Sequence, residues 1–144
     1  MHRNIILLCA LLLLASCQKE SPSTLHNQSE LNELTPNIAY VLSTYEDAWN
    51  TTLKIIQYDF LFPIEVQNKE QGFFSTEIIK DLDENPPRKF RVSGDLSSND
   101  KETMIKLYKS EQILYTDGKW HTRLSDLALE NQIVRKIQSD LQKK

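Results

Sequence analysis

The residues of this chain that are best suited to covalent chemistry are its two cysteines, and their positions restrict what they can do. Cys9 lies inside an apolar run, residues 5–14, and Cys17 follows that run directly after the small residues Ala15 and Ser16. A positive N-terminus, an apolar stretch and small residues before a cleavage point are typical of a secretory signal. Cleavage after Ser16 would remove Cys9 and leave Cys17 as the only thiol. A disulfide, a thiolate metal site and a cysteine nucleophile are therefore not expected.

The sequence Leu14-Ala15-Ser16-Cys17 resembles the lipobox of bacterial lipoproteins. The resemblance implies cleavage between Ser16 and Cys17 and acylation of Cys17, so a covalent lipid takes the place of a cofactor. Gln18 stands where many inner-membrane lipoproteins of Gram-negative bacteria carry Asp, and this favours the outer membrane. A plain signal peptide and a short membrane anchor are the alternatives, although a spanning helix needs about 20 apolar residues.

The rest of the chain divides into a tether and one domain. Residues 17–36 are mostly polar and show no sustained helical or strand spacing, which predicts a flexible lipid tether after the signal peptide, residues 1–16. Residues 37–144 suffice for a single domain. The net charge of -3 at pH 7 gives no basic surface of the kind that nucleic acid requires. We expect a membrane and other envelope proteins as partners, and no nucleic acid.

No other residues form a motif for catalysis or metal binding. Residues 81–85 place oxygen ligands at alternate positions, as a calcium loop does, but Pro86 and Val92 stand where that loop needs Gly and Glu. His26 and His121 are too far apart in the sequence for a typical zinc pair. No Ser lies in a Gly-x-Ser-x-Gly elbow. We therefore expect neither a metal site nor enzymatic activity.

The periodicity of the apolar side chains predicts the elements that position these residues. Ser43 and Glu46 have the spacing of a capping box, which predicts the start of an amphipathic helix. Ser125 or Asp126 is predicted to cap a long C-terminal helix, whose apolar stripe includes one charged residue, Glu130. The predicted fold class is α+β, with two layers: an N-terminal helix, about four antiparallel strands and the long C-terminal helix. The predicted strands are at residues 64–68, 73–79, 89–93 and 104–109.

Several short motifs occur in a fixed order along the domain. They are Ala48-Trp49, Pro63-Ile64, Gly72 with Thr76, Arg88, Trp120, and the Leu-Glu-x-x-Ile-Val sequence at residues 129–134. Together with the order of the elements, they resemble the helix-grip domain of BamC-type lipoproteins, which are accessory components of the outer-membrane β-barrel assembly machinery. The resemblance implies a helix-grip fold and a protein-binding or scaffold role on the periplasmic face of the outer membrane.

Four residues are candidates for contact with a partner. Arg91, Lys106 and Lys109 lie on neighbouring predicted strands and could form a basic strip that meets a partner or acidic lipid headgroups. Trp120 follows a turn that contains Gly118, and it is either a binding anchor or a core residue. The other tryptophan, at position 49, lies on the apolar stripe of the first helix and is predicted to belong to the core.

The alternative function is that of a periplasmic carrier, which would hold an apolar or lipid ligand between the sheet and the C-terminal helix. Large apolar side chains predicted on the facing sides either fill that space or line it. These residues are Phe73, Phe90, Leu107 and Ile137.

Overall fold

The computed structural model of the chain describes residues 37–99 and 101–143. The predicted signal peptide and the predicted tether, with Ser16 and Cys17, lie outside this range. Within it, seven strands and two helices follow each other in the chain. In order, they are β1 (Asn37–Val41), α1 (Tyr45–Lys54), a π-helical turn (Ile55–Asp59), β2 (Ile64–Asn68), β3 (Phe73–Thr76), β4 (Ile79–Asp81), β5 (Arg88–Ser98), β6 (Thr103–Leu114), β7 (Trp120–Arg123) and α2 (Ala128–Leu141).

All seven strands belong to one antiparallel sheet. The main strand order is β1-β6-β5-β3-β2, while β4 pairs with β5 and β7 pairs with β6 beyond the ends of the neighbouring strands. The long strands β5 and β6 pair continuously from Arg88 opposite Ile113 to Ser98 opposite Thr103. The fold is thus α+β with two helices, which fits a helix-grip-like arrangement. Neither described helix is long and apolar enough to cross a bilayer.

The sheet has more strands than the four that the sequence predicts, because some strands do not show a clear alternation. β1 consists of the apolar run that begins at Ile38, and its exposed residues Ile38 and Tyr40 are as hydrophobic as its buried ones, so the sequence shows no period of two. The predicted strand at residues 73–79 is two short strands, β3 and β4. β7 is an edge strand whose last three residues are exposed and polar.

The first helix begins one residue later than its predicted cap. Thr44, rather than Ser43, is the cap residue: its hydroxyl accepts a hydrogen bond from the backbone N–H of Asp47 at 3.1 Å and donates one to the Asp47 carboxylate. Glu46 does not complete a capping box and instead pairs with Lys69, at the turn between β2 and β3. The predicted helix is correct, and its Ser43–Glu46 capping box is wrong.

The second helix also begins after the residues predicted to cap it. The cap position is Leu127, whose backbone is left-handed with φ of 61°. Ser125 and Asp126 bind backbone groups just before the helix: the Ser125 hydroxyl accepts from the N–H of Leu127 at 3.0 Å, and the Asp126 carboxylate accepts from the N–H of Ala128 at 3.1 Å. These two side chains therefore fix the bend that leads into α2.

The core lies between one face of the sheet and both helices. Trp49 is 3% exposed and packs edge-on against Phe74, with ring centroids 6.4 Å apart, so its predicted place in the core is confirmed. The buried stripe of α2 also follows the prediction and includes the charged residue Glu130. The main core cluster contains Ala48, Trp49, Ile55, Ile56, Phe74, Phe90, Val92, Leu96, Ile105, Leu107, Ile133 and Ile137, among others.

Candidate functional site

The face of the sheet that points away from both helices carries the candidate site, and we call it the open face. Strand alternation assigns its residues: Val92 and Leu96 of β5 pack in the helix-side core, so Arg91, Ser93 and Asp95 point to the other side. The register extends this assignment to the neighbouring strands. The open face includes Ile38, Tyr40, Phe73, Ser75, Lys80, Lys89, Arg91, Ser93, Asp95, Met104, Lys106, Tyr108 and Trp120.

An apolar patch occupies the centre of the open face. Phe73 and Tyr108 are only 6% and 8% exposed, and Val66 packs against them in a cluster that is separate from the main core. Ser75 and Ser93 share a hydrogen bond between their hydroxyl oxygens at 2.9 Å. The two buried hydroxyls therefore satisfy each other, and the apolar side chains of the patch pack against one another.

A partly buried polar pair, Asp95 and Tyr108, adjoins this patch. Asp95 hydrogen-bonds Tyr108 across the two long strands and lies directly opposite Lys106. Burial raises the pKa of the Asp95 carboxyl, and the hydrogen bond from Tyr108 and the charge of Lys106 oppose this shift. Burial also raises the pKa of the Tyr108 hydroxyl, and the Asp95 carboxylate adds to that effect. The tyrosine hydroxyl therefore acts as a hydrogen-bond donor at neutral pH.

Cations line the open face, with Arg91 and Lys106 beside the apolar patch and Lys89 of β5 and Lys80, opposite it on β4, farther along the sheet. The Lys89 ammonium lies 4.5 Å from the centre of the Trp120 ring, which is a cation–π contact. Arg91 forms an ion pair with Glu65 of β2 at 2.6 Å. Counting Lys80 and Lys106, four cations face two carboxylates, Glu65 and Asp95, so the open face is formally positive on a chain whose net charge is negative.

The structure brings three of the four predicted contact residues to one face. Arg91, Lys106 and Trp120 lie on the open face, whereas Lys109 points to the helix side, three residues and therefore an odd step from Lys106. The predicted strip of Arg91, Lys106 and Lys109 is therefore not continuous, because strand alternation places its members on opposite faces. Lys89, which the sequence analysis did not single out, completes the positive surface beside Trp120.

Lys109 belongs instead to a charged network on the helix side. Its side chain is 7% exposed, and its ammonium lies 3.7 Å from a Glu111 oxygen and 3.6 Å from an Asp126 oxygen. Arg88 approaches Glu111 at 3.8 Å. The pKa of the Asp126 carboxyl is lowered by the backbone N–H of Ala128 and by the positive charge of Lys109. The network therefore joins Asp126, in the bend before α2, to the centre of the sheet.

Arg88 of this network also binds the acidic loop at residues 81–85, whose sequence resembles the start of a calcium site. Asp81 and Glu84 each accept a hydrogen bond from the Arg88 guanidinium at 3.1 Å. Both carboxylates therefore contact the same guanidinium nitrogen, Nη2 of Arg88. Within residues 37–99 and 101–143, no group of three His, Cys, Asp or Glu side chains could hold a metal ion.

The residues predicted to line or fill a ligand space divide between the two faces. Phe90, Leu107 and Ile137 are buried together in the main core cluster. Phe73 lies on the open face, because it precedes Phe74 in β3 and only one of two successive strand residues can point toward the helices. The placement predicted for Phe73 is thus wrong, and Phe74 takes its position in the core.

Comparisons with known proteins give a distant structural likeness. No family model matches this chain, and no curated protein matches it. Among solved structures, it is similar to a TBP-like protein from Parabacteroides distasonis, with 11% identity, a TM-score of 0.38, and coverage of 76% of this chain and 83% of that one. A likeness at this level carries no information on function. The resemblance to BamC-type lipoproteins stays a prediction from the sequence.

Proposed function

We propose that this protein is an outer-membrane-anchored periplasmic lipoprotein that binds other proteins through the open face of its sheet. The observation that carries the proposal is that Trp120, Lys89 and Arg91 lie on the same face of the sheet, where the Lys89 ammonium contacts the Trp120 ring. Tryptophan, tyrosine and arginine are the residues most often found at energetic centres of protein interfaces.

The composition of the open face supports binding of a protein partner. Ile38 and Tyr40 are 48% and 57% exposed, so large apolar side chains are accessible on this face at the β1 edge. Positive side chains around an apolar centre favour an acidic, partly apolar segment of the partner. The helix side offers no equivalent, because its apolar side chains already pack against α1 and α2.

The lipobox and the short motifs of the domain support the wider role. A lipid on Cys17 would hold the domain at the periplasmic surface of the outer membrane, where it acts only through what it contacts. The motifs shared with BamC-type lipoproteins favour a helix-grip domain and an accessory role in outer-membrane protein assembly. We propose no bound metal, no cofactor besides the covalent lipid, and no enzymatic activity for this protein.

Site-specific photocrosslinking in intact envelopes tests the binding face. A photoreactive residue is placed at Tyr40 or Lys89 on the open face and, as a matched control, at the exposed Arg135 of α2. We expect adducts with subunits of the barrel assembly machinery from the two open-face positions and none from position 135. Equal capture at all three positions, or capture from α2 alone, would contradict the proposed face.

Membrane fractionation tests the anchor independently. Cys17→Ala is expected to release the protein into the soluble periplasmic fraction, while Cys9→Ala, within the signal peptide, leaves it in the outer membrane. If Cys17→Ala stays membrane-bound, or if the purified protein carries no fatty acid, the lipoprotein assignment is wrong.

A further inference from the structure

We infer that the domain rests on the bilayer with one end of its sheet, which we call the apolar end, and that this end is a second, non-covalent membrane contact. The inference rests on the function proposed above, in which a lipid on Cys17 keeps the domain beside a bilayer. The carrying observation is that exposed, large apolar side chains occupy the connections at a single end of the sheet. They are Leu61, Ile78, Leu82 and Tyr115, which are between 51% and 75% exposed.

The directions of the strands bring these four side chains to the same end. They lie before β2, between β3 and β4, after β4, and after β6. Because neighbouring strands are antiparallel, these four places meet at one end of the sheet. The backbone N–H of Glu77 donates to the Pro63 carbonyl at 2.8 Å, and that of Leu114 donates to the Pro87 carbonyl at 2.9 Å, so the connections adjoin one another. From β2 to β7 the apolar end spans four strand spacings, about 19 Å.

The chain enters the sheet from the side of the apolar end. Asn37 pairs with Leu107, and each later residue of β1 pairs nearer to the start of β6, so β1 runs away from the apolar end. The end of β6 lies seven residues beyond Leu107, a distance of about 24 Å, whereas the 20 residues from 17 to 36 reach up to about 70 Å. A lipid on Cys17 can thus hold the apolar end against a bilayer while the open face stays accessible to a partner.

The chemistry of the apolar end fits an apolar contact with lipid. Leu61 has a left-handed backbone, with φ of 57°, a conformation that leucine rarely adopts, and its side chain is 75% exposed. Backbone strain of this kind is common where a side chain serves binding. Residues 77–89 and 115–119 carry four cations and five carboxylates, so charge does not attract this end to anionic lipid. The loops at the opposite end, residues 69–71 and 98–102, are polar.

Quenching of tryptophan fluorescence by brominated lipid tests the contact. In residues 17–144 the one thiol is that of Cys17, and it is coupled to a maleimide lipid in vesicles of brominated phosphatidylcholine. This supplies the anchor whether or not cells acylate Cys17, so a failure of the lipoprotein assignment does not affect the result. Leu82→Trp places the probe at the apolar end. Leu42→Trp, at an exposed leucine next to the opposite end, is the matched control.

Both signals are measured as the emission added to that of the unsubstituted chain. We expect Leu82→Trp to lose about half of its added emission in brominated vesicles, as a side chain at the headgroup boundary does, and Leu42→Trp to keep nearly all of it. Adding Leu61→Ser and Ile78→Ser to Leu82→Trp should abolish the quenching, and anionic phosphatidylglycerol in the vesicles should not increase it. The inference is overturned by no quenching at position 82, by equal quenching at positions 82 and 42, or by quenching that appears only with phosphatidylglycerol.

Discussion

Replacing Glu130 by methionine should stabilise this domain. Glu130 lies in the first turn of α2 with no exposed surface, and in the described residues neither of its carboxylate oxygens has a hydrogen-bond partner. A buried charge without partners opposes folding, because water no longer solvates it and the protein does not replace that solvation. Methionine has a similar length and no charge, so it fills the same space without that cost.

The magnitude follows from two opposing contributions. An unsatisfied buried polar group costs about 1 to 3 kcal/mol, and methionine at this position avoids that cost. A carboxylate near a helix N-terminus is itself favourable by about 0.3 to 1 kcal/mol, and methionine loses that part. The expected net gain in the free energy of unfolding is therefore about 1 to 2 kcal/mol.

Urea unfolding measures this gain when Glu130→Met is compared with Glu130 in chains that both carry Cys17→Ala. With an m-value between about 1 and 3 kcal/mol per molar, a gain of about 2 kcal/mol moves the midpoint upward by roughly 1 M. Glu130→Gln keeps the shape and removes the charge but leaves an unpartnered amide, so it should give a smaller gain. Gln132→Met, at an exposed position of the same helix, should change stability by less than about 0.5 kcal/mol. A midpoint that falls with Glu130→Met would refute the reasoning, because the carboxylate would then contribute to the fold.

Three further predictions concern the sheet and its charged network. Gly94→Ala should destabilise by about 1 to 3 kcal/mol, because its Cβ would lie 2.4 Å from the Phe74 ring, and calorimetry should show a lower Tm. Lys109→Met should cost about 3 kcal/mol in urea because it leaves Glu111 buried with a weakened set of partners, and adding Glu111→Met should recover most of the loss. Asp126 has a lowered pKa when folded, so its contribution is present above its unfolded pKa near 3.9 and is lost as pH falls through the folded value. The free energies of unfolding of Asp126→Asn and of the unsubstituted chain, measured in urea, should differ by well under 1 kcal/mol at pH 7 and should converge at pH 2.

The sequence predicted those parts of the fold in which one face is apolar and the other polar. The stripe through Trp49 and that through Ile133 and Ile137 have helical spacing, and both are buried as predicted. The sequence did not predict β1 as a strand, because Ile38 and Tyr40 make its open side as apolar as its core side. An alternating pattern is visible only when one face of a strand is apolar and the other is polar, and the two faces of β1 are both apolar.

The candidate site was harder to predict, because pairings between distant residues decide it. Lys109 and Glu111 occupy positions that a half-buried strand normally gives to apolar residues, and only the arrival of Asp126 from a later part of the chain explains them. The contact of Lys89 with Trp120 likewise needs the pairing of both their strands with β6. Neither juxtaposition is visible in local spacing.

The register between β5 and β6 determines the core and the open face together. A slip of one residue would turn Lys106 and Tyr108 toward the helices and bring Leu107 out to water, because side chains alternate along a strand. Gly94 adds to this constraint, since the Phe74 ring and Leu107 occupy the space that a side chain there would need. The apolar packing that fixes the core therefore also fixes the positions of Arg91, Asp95 and Lys106 on the other side. Hence a core substitution that shifts this register should abolish partner binding even though no residue of the open face is substituted.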